Sequence, residues 1–180
     1  MSATLEIVAL SGTSTTTVSV PISASLEVEQ TYEEIGGVSL MRTLNGTAIK
    51  QAHWRKLRTT IAGQGWTPDG LTGIDWDNSL TVRCIAPRSI VSTSNTIVIP
   101  SARRTASGYE PFGFAHKSDG SHVTTAVSMA TNTATLTAVT SAASYTVCWY
   151  PEFSAYAEPP RQRFDVSGAA AGWELTAEQI

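Results

Sequence analysis

The sequence predicts an all-β protein, an antiparallel β-sandwich or split barrel with a long glycine-rich loop and at most one short helix. Three observations carry this expectation. Period-two apolar spacing recurs in successive runs between Leu5 and Tyr150, no window long enough for a substantial helix keeps a 3.6-residue period, and Ser, Thr, Ala and Gly fill the places that charged residues usually take. Charged residues are 15% of the chain, well below the roughly 25% of an average soluble protein, so the surface is polar without being charged. Disorder is excluded, since a disordered chain would be poorer in aromatics and richer in net charge. At 180 residues, one domain spanning 1–180 can bury a core without help from metal or disulfide.

The elements follow in order. Leu5 to Leu10 reads as a strand, and "TVSVPI" sets Val18, Val20 and Ile22 on one face, with Pro21 marking an edge or an end. In "SLEVEQTY" Leu26 and Val28 alternate with Glu27 and Glu29. After "IGG", a strand from Val38 to Leu44 meets Asn45-Gly46, the strongest short hairpin signal, which predicts a type I′ turn with positive φ at both central residues. The return from Thr47 is ambiguous. Trp54, Leu57 and Ile61 are spaced for a helix, but the β-branched "TTI" and the following "GQG" favour a long strand with room for a bulge. Residues 63–79, "GQGWTPDGLTGIDWDNS", hold four glycines and a proline and predict a long ordered loop anchored by Trp66 and Trp76.

Strands at Leu80 to Ala86 and Thr96 to Ile99 come next, joined through "STSN". From Pro111, four strands (Phe112 to His116, Val123 to Met129, Thr133 to Val139, Tyr145 to Tyr150) with short polar turns read as an antiparallel meander. Pro159 and Pro160 stop one element, and Trp173, Leu175 and Ala177 fit a last strand.

Charge and motifs narrow the function. A net charge of −3 supplies no field to recruit DNA, RNA or an anionic membrane, so any basic patch must be local. The opening "MSATLEIVALSGTSTTT" has no basic leader and no secretion core, and no stretch nears the roughly 20 apolar residues that span a bilayer, which places folding in a cytoplasm. Cys84 and Cys148 lie in strand-like runs and read as buried free thiols. His53, His116 and His122 lack metal-site spacing. Asp69, Asp75 and Asp77 cluster with Asn78 in the glycine-rich loop, where Asx turns account for them better than Ca²⁺ does, because their spacing is not that of a calcium loop. No nucleophile elbow, phosphate loop or nominated carboxylate pair occurs, so neither catalysis nor a cofactor is expected.

One run stands out. "LMRTLNGTAIKQAHWRKLRTTIAGQGW" gathers Arg42, Lys50, Arg55, Lys56 and Arg58 around Trp54, in a chain otherwise poor in charge. These residues could track a phosphate backbone with Trp54 as stacking platform. Arg and Trp are also the types enriched where protein buries against protein. With an acidic run just upstream, the interface reading is favoured: Arg42, Trp54, Arg55 and Arg58 of one copy against Glu27, Glu29, Glu33 and Glu34 of the next.

"QTYEEIGG" followed by "LMRTLNGTAIKQAHWRKLRTTIAGQGWTPDGLTGIDWDNSLTVRC" resembles small minor tail proteins of long-tailed bacteriophages, the distal-tail-like ring proteins between tail tube and tip. The ending "YPEFSAYAEPPRQRFDVSGAAAGWELTAEQ" is similar to the closing strands of such proteins. The resemblance covers residues 30–85 and 145–179. It implies a β-sandwich or split-barrel domain in a hexameric ring, a place in the virion after assembly in the host cytoplasm, and contacts with tail tube protein on one side and tip or hub protein on the other. From the charge and the lack of an apolar span, no membrane and no sequence-specific nucleic acid is expected as partner. The chain is too short for the second, carbohydrate-binding-like domain of larger members. A tail tube or terminator subunit is the alternative of the same class, and a carbohydrate-binding module using Trp66 and Trp76 is the alternative of another.

Overall fold

The computed structural model describes residues 5–11, 14–20, 28–65, 71–165 and 170–180. Strand accounts for 66% of it and helix for 1%, which bears out the all-β expectation. In chain order, β1 (Leu5–Ser11), β2 (Ser14–Val20), β3 (Val28–Arg42) and β4 (Ala48–Gln64) precede a single 3-10 turn at Leu71–Gly73. Then come β5 (Leu80–Arg83), β6 (Arg88–Ser92), β7 (Thr96–Val98), β8 (Phe112–Lys117), β9 (His122–Thr125), β10 (Val127–Ala130) and β11 (Thr133–Leu136). The last four are β12 (Ala142–Trp149), β13 (Glu152–Ala157), β14 (Arg161–Asp165) and β15 (Ala170–Gln179). Among the described residues no helix is long and apolar enough to cross a membrane.

The chain forms two compact units, Arg83–Phe153 and Leu5–Val82 with Ser154–Ile180. The sequence shows no linker because the junctions fall inside strands, one within β5 and the other within β13.

The Arg83–Phe153 unit is a sandwich of a four-stranded sheet, β6-β12-β8-β9, and a three-stranded sheet, β10-β11-β7. Their inner faces share one core: Tyr145, Val147, Trp149 and Ala115 from the first, Ile97, Ala134 and Leu136 from the second, with Ile99 just beyond β7. Gly113 lies where the layers come closest, since a Cβ there would sit 2.5 Å from Leu136 Cδ2 and 3.1 Å from Val127 Cγ2. Two polar clamps hold the loops. Arg103 donates to Pro100 O, Thr131 O and Asn132 Oδ1, fixing the β10–β11 turn where Thr131 takes a φ of 53°. Arg104, 1% exposed, lies flat on the Tyr109 ring at 3.3 Å and donates to Cys84 O. Arg83 and Glu152 pair at 3.2 Å, and Cys84 N–H donates to Pro151 O, closing the base of the unit. Cys84 and Cys148 are free thiols, and burial pushes the Cys148 thiol above its ordinary pKa.

The other unit is built on one antiparallel sheet of eight strands in the order β2-β1-β5-β13-β15-β4-β3, with β14 also on β15. Its β15 is central. One edge pairs with β4 from Gly172↔Gln64 to Glu178↔Arg58, and the other pairs with β13 and then β14, the register slipping by one residue across Pro159-Pro160. The buried face of β15 and β4 pairs Trp173 with Gly63, Leu175 with Ile61 and Ala177 with Thr59. A side chain at Gly63 would strike the Trp173 ring at 2.6 Å, so the indole lies flat on bare backbone. Thr59 is fully buried yet satisfied, donating to Thr31 O and accepting from Gln30 Nε2.

Several sequence expectations need correction. The hairpin at Asn45-Gly46 forms, but not through a type I′ turn. Gly46 N–H donates to Thr43 O, Thr43 N–H to Thr47 O, and only Gly46 has positive φ (80°), the pattern of a type I turn closed by a left-handed glycine. The four-strand meander from Pro111 is not one sheet. The run expected as one strand from Val123 to Met129 breaks at Ala126 into β9 and β10, which belong to different sheets, and β12 returns to pair with β8. Thr125 anchors the crossing, its hydroxyl donating to Thr137 O. Alternation cannot report such a crossing because both halves keep one face toward the same core. The strand expected through Ala86 stops at Arg83, the element expected to stop at Pro159-Pro160 is β13, and β6 and β14 were not anticipated. From Thr47 the strand reading holds over the helical one, with a bulge.

Two substitutions test these assignments. Gly46→Val has room for its side chain but not for its backbone conformation, and is expected to cost about 1 kcal/mol or more in urea unfolding; an unchanged midpoint contradicts the left-handed turn. Gly113→Ala forces a methyl between the two layers and is expected to cost about 1–3 kcal/mol, and less than that when introduced into a Leu136→Ala background.

Candidate subunit interface

The exceptional feature of the second unit is its longest hairpin. β4 has strand neighbours on both sides only from Arg58 to Gly63, and toward the turn it keeps β3 alone. Gln179 Oε1 accepts from Leu57 N–H and Ile180 O accepts from Lys56 Nζ, so the flanking strand ends there. Beyond, Gly36 to Arg55 project as a two-stranded ribbon in which every residue is exposed except half-buried Gly37. At about 3.3 Å per residue this arm is roughly 27 Å long.

The base of the arm is built from glycine and a bulge. The register shifts between Gly37 and Val38, leaving His53 as the extra residue of β4. The Trp54 ring folds over Gly37, where a Cβ would lie 2.7 Å from Nε1, and a Cβ on Gly36 would collide with the Trp54 carbonyl at 2.3 Å. Past the bulge the two faces differ. Val38, Leu40 and Arg42 stand with Ala52, Lys50 and Ala48 on one face, continuing the face of Arg55. Met41 and Ile49 form the other, in line with Trp54. Large apolar groups are bare on both: Leu40 is 64% exposed, Trp54 52% and Leu44 wholly so. A monomer gains nothing by holding them in water.

Below the arm, the outward face of the sheet carries three rows running across strands. One reads Glu33, Arg58, Glu178 and Tyr156; the next Thr31, Thr60 and Thr176; the third Glu29, Ala62, Glu174 and Arg161. Arg58 bridges Glu33 at 3.0 Å and Glu178 at 2.6 Å, and the hydrogen bonds to Glu178 first and Glu33 second raise its pKa further. Glu158 and Arg161 pair at 3.7 Å. The rows floor an open groove of about 580 Å³.

The residues nominated by the sequence divide as follows. Trp54 and Arg55 are on the arm; Arg42 is near its tip, where its Nη1 donates to Gly46 O. Arg58 and Glu33 are paired with each other within the chain rather than offered to a neighbour. Glu29 is exposed on β3, Glu34 lies on the opposite face from Glu33, and Glu27 is outside the described residues. Trp66 and Asp69 also lie outside them, and Trp76 is half-buried. Asp75 caps its own loop, accepting from Asp77 N–H and Asn78 Nδ2, as the Asx-turn reading expects. Glu158, Glu174 and Glu178 were missed. No local signal marks Glu174 and Glu178, because they meet β4 only through pairing across more than 100 residues of chain, and the pairing of Glu158 with Arg161 says nothing of the sheet they border.

The geometry also weighs against a nucleic-acid surface. Arg42, Lys50 and Arg55 share one face of the ribbon, the Trp54 ring lies on the other, and Lys56 is engaged by the Ile180 carbonyl. A strand following the cations would not reach the stacking platform. Comparison with family models, with curated proteins and with solved structures finds no match for this chain.

The two central cations should therefore behave differently on charge reversal. Arg55→Glu, on the open ribbon, is expected to move the Tm by no more than about 2 °C. Arg58→Glu sets three carboxylates in one row and is expected to lower the Tm by more than Arg55→Glu does, with part of the loss recovered as salt is added. Equal effects would show that the row contributes nothing.

Proposed function

We propose that this protein is a structural virion component. In this reading it forms a homo-oligomeric ring, a hexamer by the family resemblance, at the distal tail or tail tip of a bacteriophage, where it links tail tube to tip or hub proteins. It has no catalytic role and no cofactor. The single observation that supports the reading best is the arm. An isolated two-stranded ribbon is marginal in water, and this one is apolar on both faces, so it calls for cover from another protein surface. The low charge of the chain and the long β3 edge, with no strand beyond it among the described residues, fit repeated pairing with copies of itself.

The test is light scattering after size exclusion, with negative-stain microscopy. Closed rings are expected from the wild type, and loss of rings with retained β spectrum from the triple variant Leu40→Ser, Met41→Ser, Ile49→Ser. Open tubes of indefinite length would favour the tail tube subunit instead. A chain that stays monomeric over its whole soluble range, alone and with tail tube protein, would overturn the proposal.

A further inference from the structure

We infer that the groove on the outward face of the second unit's sheet is the docking surface for the arm of another copy of the same chain. This rests on the ring-forming reading above and adds to it the acceptor site. The sequence points to Glu27, Glu29, Glu33 and Glu34 as the acidic partners, but Glu33 already holds Arg58. The structure supplies a different acidic surface, assembled from distant strands.

Charge complementarity identifies the occupant. From Gly36 to Leu57 the hairpin carries Arg42, Lys50, Arg55 and Lys56 and no carboxylate. The groove sets Glu33, Glu158, Glu174 and Glu178 against only Arg58 and Arg161. Each side sets two carboxylates against one guanidinium, but Arg58 holds both Glu33 and Glu178 closely whereas Arg161 meets Glu158 only at 3.7 Å, so the carboxylates on the Glu158–Glu174 side are the less tightly engaged. Lys50 and Arg55 stand on the same face of the ribbon, spaced to meet that side together. Between the charged rows, Thr60 and Thr176 form a low floor, and Tyr156, 56% exposed, offers a ring against which Leu40 or Val38 can pack. The arm and the groove belong to the same unit, so a copy that offers its arm also offers its groove. In the ring reading this contact runs head-to-tail from copy to copy until the ring closes.

Two charge-reversed pairs test the inference. The arm pair is Lys50→Glu with Arg55→Glu; the groove pair is Glu158→Lys with Glu174→Lys. Each is expected to lower the association constant about tenfold or more, and all four changes in one chain are expected to restore assembly, because the reversed arm then meets a reversed groove. In wild-type assemblies mixed from light and heavy isotopes, a zero-length carbodiimide should join Lys50 of one copy to Glu174 or Glu158 of another. A groove pair that assembles like wild type while the arm pair does not would overturn this docking surface and leave the ring reading standing. Failure of the four-change chain to recover would also overturn it. Should the groove pair misfold, absence of the mixed-isotope cross-link in assembled wild type decides against the inference. Wild-type protein that never assembles would remove both readings.

Discussion

The register between β4 and β15 governs the rest of the second unit. A slip of one residue would take Trp173 off Gly63, turn Leu175 and Ile61 toward water, and bring carboxylates of the outward rows into the core. The flat stacking of an indole on a glycine is what makes the slip costly, since no neighbouring position on β4 leaves bare backbone of the same size. With that pairing set, the outward residues have no choice. Arg58 must stand between Glu33 and Glu178, and Thr60 between Thr31 and Thr176. The arm is a consequence as well: β4 is 17 residues long and β15 only 10, so part of β4 necessarily runs beyond its neighbour.

How much of this could be read in advance follows from the range of the interactions. Asn45-Gly46 announced a hairpin because a left-handed glycine is a local requirement, although the turn type was not legible from the dipeptide alone. Tyr145, Val147 and Trp149 were read as one face and are one face, all buried, since alternation records burial directly. The sheet crossing at Ala126 was hidden for the same reason. Pro159-Pro160 marked the end of β13, but β14 escaped because "RQRFD" has weak alternation and is exposed throughout; its strand character comes from its partner, β15. Of the candidate interface, the arm was visible as a cluster of Arg and Trp in an uncharged sequence. The groove was not, because a row across strands leaves no trace in any one of them.

The arm also shows how local rules and assembly pull against each other. Burial within the chain would require a strand beside β3 or β4 at this level, and none lies there among the described residues. The exposed leucine, methionine and isoleucine are a liability for a monomer, as open edges and apolar ribbons are prone to pair at random. The cations on one face limit that hazard. Two arms brought together on their basic faces repel, so like-to-like association is disfavoured and an acidic partner is selected.

The division of the chain sets the order in which its parts can close during synthesis. The Arg83–Phe153 sandwich is contiguous, and every strand it needs has been made once Phe153 has emerged. The larger sheet has no such freedom. Among the described residues β4 and β13 are joined only through β15, so the β3–β4 hairpin, arm included, has no place in the sheet until β15 has been made. A nascent chain at that stage holds a complete insert and an incomplete sheet, and the apolar arm stays uncovered while the ribosome keeps neighbouring copies apart.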